Sequence, residues 1–181
     1  MKPKRLSSKY IFKNRWVRIR EDQLQFSDGS VASWYIREVG AVGRIFCLTE
    51  NGKIVLVRMY KPGAGKVVTE VPTGLVDKGE SPKATAIREL YEETGYVVRP
   101  QDVQKLGVYE ISPTGTEGKV HLFFVKGAIR KNDGQKNPHE EGTVELVSPA
   151  TALRYARNGT IQAMGQVASV YIGLDHLGYF K

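Results

Sequence analysis

The amino-acid sequence predicts an α/β fold, a sandwich of a mixed sheet and helices that follows a small N-terminal antiparallel β subdomain. Three observations lead to this prediction. Asn51-Gly52 lies between two apolar runs and is a strong β-hairpin signal. The segment from Ser81-Pro82 to Gly95 has the start and stop residues of a helix. Further helical stretches follow the last strand, and helices between and after strands are typical of such a sandwich.

The first part of the chain, from Lys9 to Val39, has the pattern of a small antiparallel sheet. Residues 16–20 alternate between apolar and polar, Ser27-Asp28-Gly29 forms a turn, and Val31 to Val39 returns. We therefore assign residues 1–39 to an N-terminal β subdomain and residues 40–181 to a second domain.

The middle of the chain supplies the main sheet. Ala41 to Thr49 pairs with Lys53 to Met59 across the Asn-Gly turn. Gln104 to Ile111 and Val120 to Ile129 are predicted as further strands, separated by the loop Ser112 to Lys119.

The last part of the chain alternates a strand with two helices. Residues 130–142 form a polar loop, and Val144 to Val147 is predicted as a strand. A helix begins at Ser148-Pro149 and ends near Asn158-Gly159. A final helix is predicted from Ile161 to Leu174.

The helix after Ser81 concentrates negative charge. At 100° per residue, Glu89, Glu92 and Glu93 fall within about one third of its circumference. Like charges four residues apart cost a helix a few tenths of a kcal/mol, so the arrangement indicates a bound cation, with Mg²⁺ the natural candidate. The alternative is a charged surface helix without a metal. Apolar residues on the other side form the predicted packing face: Ala84, Ile87, Leu90 and Tyr91.

The same segment resembles the 23-residue signature of the Nudix hydrolases, from Gly74 to Tyr96. Nine residues occupy the signature positions at the right spacings: Gly74, Glu80, Arg88, Glu89, Leu90, Glu92, Glu93, Gly95 and Tyr96. Only Tyr96 departs slightly, since it is aromatic where an aliphatic residue is usual. The resemblance implies the Nudix α/β/α sandwich and an N-terminal subdomain that is often exchanged between the partners of a homodimer.

The resemblance also implies a catalytic site. Arg88 and Glu80 are the orienting residues of the signature, and Arg88 lies four residues before Glu92, within reach of an ion pair. We expect Mg²⁺, with Mn²⁺ as a substitute. The implied ligands are the Thr73 carbonyl and three carboxylates, those of Glu89, Glu92 and Glu93.

Three flanking runs narrow the range of possible substrates. Residues 58–61, RMYK, and residues 70–77, EVPTGLVD, resemble the "QYR … ELPAG…D" run of ADP-ribose pyrophosphatases. Residues 112–115, SPTG, resemble the "SPG" loop of the same proteins. Met59 replaces the usual Gln and Lys61 the usual Arg. Lys61 still supplies a cation but not a bidentate fork.

Two tryptophans, Trp16 and Trp34, resemble a pair that sandwiches the adenine ring in eukaryotic ADP-sugar pyrophosphatases, one from each subunit. Stacking recognises a purine by its face. The alternative is that both are half-buried residues of the sheet. The candidate substrate-binding residues are Trp16, Trp34, Arg37, Arg58, Lys61, Ser112, Thr114 and Glu117.

A general base is also expected, and the resemblance favours a glutamate on the loop before residues 144–147. Glu140 is the first candidate and Glu141 is close behind. His139 is an alternative. A base on a mobile loop would suit closure over a substrate.

Composition favours a compact enzyme with a small-molecule substrate. The chain has 181 residues and a formal net charge of +8, which suits an anionic diphosphate. Nucleic acid as the main partner is the alternative, but the sequence has no Arg-rich tract and no RNA-binding aromatic signature. Its one cysteine, Cys47, lies in an apolar run and is compatible with a reducing cytoplasm. We expect neither a signal peptide nor a membrane-spanning segment.

The sequence therefore predicts Mg²⁺-dependent hydrolysis of nucleoside diphosphate sugars, ADP-ribose first, to a nucleoside monophosphate and a sugar phosphate. One alternative is another pyrophosphate substrate of the same superfamily, such as GDP-mannose or the 5′ end of RNA. An alternative of a different class is a non-catalytic module that binds ADP-ribose as a sensor.

Overall fold

A computed structural model describes residues 2–135 and 142–180 of the chain. The chain divides into two compact units. The first consists of Met1–Ala41 with Glu110–Lys119, and the second of Val42–Tyr109 with Val120–Lys181.

The secondary structure follows the predicted order. The strands are β1 (Lys4–Lys13), β2 (Arg18–Gln25), β3 (Val31–Thr49), β4 (Ile54–Lys61), β5 (Lys66–Glu70), β6 (Thr73–Leu75), β7 (Tyr96–Val97), β8 (Gln104–Ser112), β9 (Thr116–Arg130) and β10 (Gly142–Val147). The helices are α1 (Pro82–Thr94), α2 (Pro149–Arg157) and α3 (Met164–His176), and a short 3-10 turn spans Pro100–Asp102.

The first unit is an antiparallel sheet. Strand β1 pairs with β2, and β2 pairs with β3 from Arg18 opposite Glu38 to Gln25 opposite Val31. All ten residues of β1 are exposed. Asp22 is buried in this sheet, which would by itself raise its pKa. Hydrogen bonds from Ser8 and Arg20 outweigh that effect, so the pKa lies below its ordinary value.

The second unit is a helix–sheet–helix sandwich, because successive residues of β3 and β4 face opposite sides of the sheet. On one side, strand residues such as Ile45, Cys47 and Val55 form a buried cluster with α1. On the other side, a second cluster includes Phe46 and Leu56 together with apolar residues of α2 and α3. The predicted α/β fold class is confirmed.

Cys47 is a fully buried, free thiol of this sandwich. Burial raises the pKa of the Cys47 thiol far above its usual range, because the apolar surroundings disfavour the thiolate. The interpretation of Cys47 as a buried strand residue is therefore confirmed.

The strands differ from the prediction by a few residues at several ends and in three larger respects. Val31 to Thr49 is one strand and not two, and Gly40 within it adopts a φ of 85°, which a glycine tolerates. Strand β5 was not predicted, although it pairs with β4 from Glu70 opposite Val57 to Lys66 opposite Lys61. Strand β9 begins at Thr116, so the predicted loop before it is shorter.

The packing face of α1 was predicted partly wrongly. Leu90 is buried as expected, but Ala84 is exposed, and Thr85 and Ala86 are fully buried instead. The reason is a close backbone approach between α1 and β3 at Gly43. A Cβ atom at Gly43 would lie within about 3 Å of backbone atoms of α1, so the helix presents its smallest face to the sheet.

No helix in the described part of the chain is long and apolar enough to cross a membrane.

Candidate active site

Helix α1 carries the candidate carboxylates, and its ends are fixed locally. The Ser81 side chain caps the helix by accepting a hydrogen bond from the Ala84 N–H at 3.2 Å, and Pro82 occupies the first turn. Gly95 ends the helix with a φ of 74° and donates its N–H to the Tyr91 carbonyl at 2.7 Å. The carboxylates therefore lie on a helix with defined ends.

Arg88 is the centre of the charged network. It donates to both carboxylate oxygens of Glu80, from Nε and Nη2, each at 3.1 Å. Its Nη1 donates to Glu89 at 2.8 Å and to Glu92 at 3.0 Å. The ion pair between Arg88 and Glu92, which the four-residue spacing predicts, is thus present. One guanidinium orients three carboxylates.

Glu80 is held on the other side as well, since the Thr85 hydroxyl donates to its Oε2 at 2.6 Å. These hydrogen bonds, above all those from Arg88, lower the pKa of Glu80 below its ordinary value, although partial burial opposes the shift. Glu80 is therefore a carboxylate at neutral pH, which is the form that Arg88 requires.

Glu93 lies on the buried side of the helix, with 8% of its surface exposed. The backbone N–H of Thr73 donates to Glu93 Oε2 at 3.3 Å, so the carboxylate and the candidate backbone ligand are adjacent. The carboxylate of Glu89 lies directly over Gly74, and a Cβ atom at position 74 would collide with it. Any larger residue at position 74 would therefore force the Glu89 side chain to move.

The donor set fits an oxygen-seeking divalent cation. Glu89 and Glu92 both pair with the Nη1 of Arg88, so their carboxylates, which are ligands that such a cation prefers, lie close together. Among residues 2–135 and 142–180, three or more acidic, histidine or cysteine side chains do not come together as a finished metal site. The ligand assignments of Thr73, Glu89, Glu92 and Glu93 therefore remain a prediction.

Two residues near Thr73 were missed by the sequence analysis. Arg44 of β3 donates from Nε to the Thr73 hydroxyl at 3.2 Å, and Gln166 of α3 donates to the same oxygen at 3.1 Å. Burial lowers the pKa of Arg44 to about 10, although the charge of Glu70 opposes the shift. The sequence does contain a sign that Gln166 is buried. It lies four and eight residues before the apolar Val170 and Leu174, so it shares their face of the predicted helix.

The two basic candidates of β4 lie on the surface of the second unit. Lys61 forms an ion pair with Glu70 at 3.2 Å. The Arg58 guanidinium lies 4.0 Å from a carboxylate oxygen of Glu145, and about half of its side chain is exposed. Both cations are accessible to an anionic ligand.

In the first unit, Trp16 and Trp34 differ in environment. Trp16 is 76% exposed and lies under the Arg15 guanidinium, 4.6 Å from the ring centroid. Trp34 is 38% exposed, and its indole N–H donates to the Thr114 carbonyl at 2.7 Å. Trp34 therefore has a structural contact, while part of its ring remains accessible.

The predicted substrate loop belongs to the same unit. Strand β8 ends at Ser112, and the Arg37 backbone N–H donates to the Gly115 carbonyl at 2.9 Å. Glu117 forms an ion pair with Arg20 at 2.5 Å. Hydrogen bonds thus attach Trp34 to Thr114 and the Arg37 backbone to the neighbouring Gly115.

The candidate general bases Glu140 and Glu141, and the alternative His139, lie outside the described residues. Their assignment remains a prediction.

Comparison with known proteins gives consistent results. Residues 39–164 match the model of the NUDIX domain, and residues 3–36 match that of the nucleoside diphosphate sugar hydrolase N-terminal domain. The chain is 31% identical to the methanol dehydrogenase activator of Bacillus methanolicus over 92% of this chain and 90% of the relative. It is 28% identical to the ADP-ribose pyrophosphatase of Bacillus subtilis over 70% of this chain and 67% of the relative.

Among solved structures, an ADP compounds hydrolase superimposes with a TM-score of 0.87 at 19% sequence identity, covering 99% of this chain and 96% of that one. At this identity the likeness concerns the fold.

Proposed function

The chain belongs to the NUDIX domain family, and from this premise we propose that it is a hydrolase that cleaves the diphosphate of nucleoside diphosphate sugars, ADP-ribose first. The products are a nucleoside monophosphate and a sugar phosphate. The observation that carries the proposal is the network in which Arg88 orients Glu80, Glu89 and Glu92 beside Glu93.

Two comparisons support the choice of substrate. The model matched by residues 3–36 describes the N-terminal domain of nucleoside diphosphate sugar hydrolases, and the Bacillus subtilis relative is named for ADP-ribose. Mg²⁺ is the proposed cation and Mn²⁺ its substitute, since carboxylate and carbonyl oxygens are ligands that both accept. When bound, the cation neutralises phosphate oxygens and activates water.

The residues of the second unit have separate roles in this proposal. Glu89, Glu92 and Glu93 hold the cation together with the Thr73 carbonyl. Arg88 keeps the carboxylates oriented before the cation binds, which reduces reorganisation during the reaction. Arg58 and Lys61 supply positive charge for the diphosphate.

The residues of the first unit recognise the nucleoside and the sugar. Trp16 and Trp34 stack on the purine, each from a different subunit of a homodimer with exchanged N-terminal subdomains. The exposed ring of Trp16 and the half-exposed ring of Trp34 support this role. The polar contacts come from Arg37, Ser112, Thr114 and Glu117.

Glu140 is the proposed general base, and Glu141 is its nearest competitor. Replacing each by Gln identifies the base, because loss of general-base assistance lowers kcat by about 10²–10⁴-fold with little change in KM. We also propose a cytoplasmic location, which suits the buried free thiol of Cys47.

The alternatives are another pyrophosphate substrate and a binding module without catalysis. The Bacillus methanolicus relative is named as an activator of another enzyme. The test therefore includes the binding module without catalysis as an outcome. A panel with Mg²⁺ distinguishes them: ADP-ribose, GDP-mannose, a dinucleoside polyphosphate and 5′-triphosphorylated RNA. We expect ADP-ribose to give the highest kcat/KM. If another compound of the panel were hydrolysed faster than ADP-ribose, that compound would replace ADP-ribose as the proposed substrate. Binding of ADP-ribose without hydrolysis of any compound of the panel would contradict the proposal.

A further inference from the structure

The hydroxyl of Thr73 uses its full hydrogen-bonding capacity. It accepts from Gln166 Nε2 at 3.1 Å and from Arg44 Nε at 3.2 Å, and it donates to the Val71 carbonyl at 2.8 Å. A hydroxyl has one donor and two acceptor positions, so none is left. The Thr73 side chain is therefore locked in one orientation by the strand β3, the helix α3 and its own loop.

Gln166 holds the same turn at a second point. Its Oε1 accepts the Val71 N–H at 3.0 Å, so one amide bridges the backbone of residue 71 and the side chain of residue 73. Only 2% of Gln166 is exposed. Buried amide hydrogen bonds are costly to leave unmade, since the freed donor or acceptor cannot turn to water.

Arg44 is held on its far side by α3. Its Nη1 donates to the Gly165 carbonyl at 2.7 Å and to the Ser169 hydroxyl at 3.1 Å. The guanidinium thus connects the first turns of α3 to Thr73. Strand β6 has only three residues, which limits how far its own ladder with β3 can fix the turn.

We propose that Gln166 and Arg44 are positioning residues that fix the backbone of Thr73, and thereby set the position of the carbonyl and N–H groups that serve the cation site. The N–H of Thr73 donates a hydrogen bond to Glu93. A shift of the Thr73 backbone would therefore move both the Thr73 carbonyl and the Glu93 carboxylate, which are two proposed ligands of the cation. The inference rests on the proposed function, because that proposal assigns the Thr73 carbonyl as a ligand of the cation. Gln166 lies beyond residue 164, where the matched NUDIX segment ends.

The test compares hydroxyl-deleted and hydroxyl-retaining variants. Thr73→Val keeps the shape and removes the hydroxyl, Thr73→Ser keeps the hydroxyl, and Gln166→Leu removes the amide. Thr49→Val is the control, because Thr49 is a buried threonine of the second unit whose hydroxyl accepts the Lys53 N–H and makes no contact with Thr73 or Gln166 among the described residues. Mn²⁺ binding is measured without substrate by electron paramagnetic resonance, and Tm is measured in parallel.

We expect Thr73→Val and Gln166→Leu each to weaken Mn²⁺ binding about 10-fold, the usual effect of losing an outer partner of a metal ligand. Thr73→Ser should restore wild-type affinity. Combining Thr73→Val with Gln166→Leu should weaken Mn²⁺ binding little more than either substitution alone, because the two residues share a hydrogen bond. Thr49→Val should lower Tm without changing Mn²⁺ binding.

Wild-type Mn²⁺ affinity in Thr73→Val and Gln166→Leu would overturn the inference and leave both residues a purely structural role. If the wild-type chain bound no Mn²⁺, the inference and the metal assignment would both fall. If it bound Mn²⁺ but hydrolysed no nucleoside diphosphate sugar, the proposed function would fall, while the Mn²⁺ affinities of the variants would still decide the inference.

Discussion

At the scale of single residues, Arg88 shows what spacing predicts and what it leaves out. The four-residue separation predicts the pair with Glu92, because such residues are neighbours on a helix. The contact with Glu80 spans eight residues and crosses from the helix to its preceding loop, so helical spacing does not predict it. Thr85, which completes the shell of Glu80, has no signal in the sequence.

Glu80 leads to a prediction about pH. Because its folded-state pKa is lowered, its contribution to stability is present above the unfolded value, 4.5, and is lost as pH falls through the lower folded value. Glu80→Gln should therefore lower the free energy of unfolding by about 1.5–3 kcal/mol at pH 7, the range for hydrogen bonds to a charged group. The difference from wild type should shrink below pH 4.5.

Urea unfolding between pH 7 and pH 3 measures this difference. Glu110→Gln is the control, since Glu110 is exposed and pairs loosely with Lys119 at 3.6 Å. If the stability difference between wild type and Glu80→Gln stayed constant down to pH 3, the charge of the Glu80 carboxylate would not stabilise the fold, which would contradict this prediction.

At the scale of elements, the sequence predicts those whose signals are local. The hairpin at Asn51-Gly52 and the helix from Ser81 to Gly95 are correct because their turn and capping residues are specific. The packing face of α1 is not local. It depends on Gly43 of β3, which lies far away in sequence and permits the close approach that buries Thr85 and Ala86.

Gly43→Ala tests this packing. The added methyl group would meet the Pro82 carbonyl and the Ala86 N–H, which are backbone atoms that cannot turn away. We expect a loss of about 1–3 kcal/mol in the free energy of unfolding, as for other overpacked sites. Since α1 carries the carboxylates, kcat should fall as well.

Gly63→Ala is the matched control, because nothing lies within 4 Å of a Cβ atom placed there. Thermal unfolding and ADP-ribose hydrolysis are measured for both variants. A Gly43→Ala protein as stable and active as Gly63→Ala would contradict the role of this contact.

At the scale of the whole molecule, the proposal requires two copies of the chain. Strand β1 exposes Leu6, Tyr10, Ile11 and Phe12, so these apolar side chains are accessible to a second copy. The sequence predicts the tryptophan pair, but it could not predict the hydrogen bond from Trp34 to Thr114. That bond joins segments 80 residues apart.

Trp16→Ala and Trp34→Ala test the purine clamp. Each should raise KM for ADP-ribose roughly 10-fold, since an aromatic stack contributes about 0.5–1.5 kcal/mol beyond burial. The two losses should not add, because each ring needs the other to complete the sandwich. Trp34→Phe keeps a ring without the N–H and separates stacking from the contact with Thr114. Light scattering gives the molar mass, and a fully active monomer would contradict the clamp.

The central claim is that the carboxylates of α1 serve hydrolysis of a diphosphate. Phosphorus NMR of ADP-ribose with Mg²⁺ tests it directly, because the diphosphate signals disappear as two monophosphate signals form. Wild-type protein should give both products, and Glu93→Gln should slow the reaction by at least about 10²-fold at an unchanged fold. Unchanged diphosphate signals with the wild-type protein, or a Glu93→Gln rate equal to that of wild type, would contradict the claim.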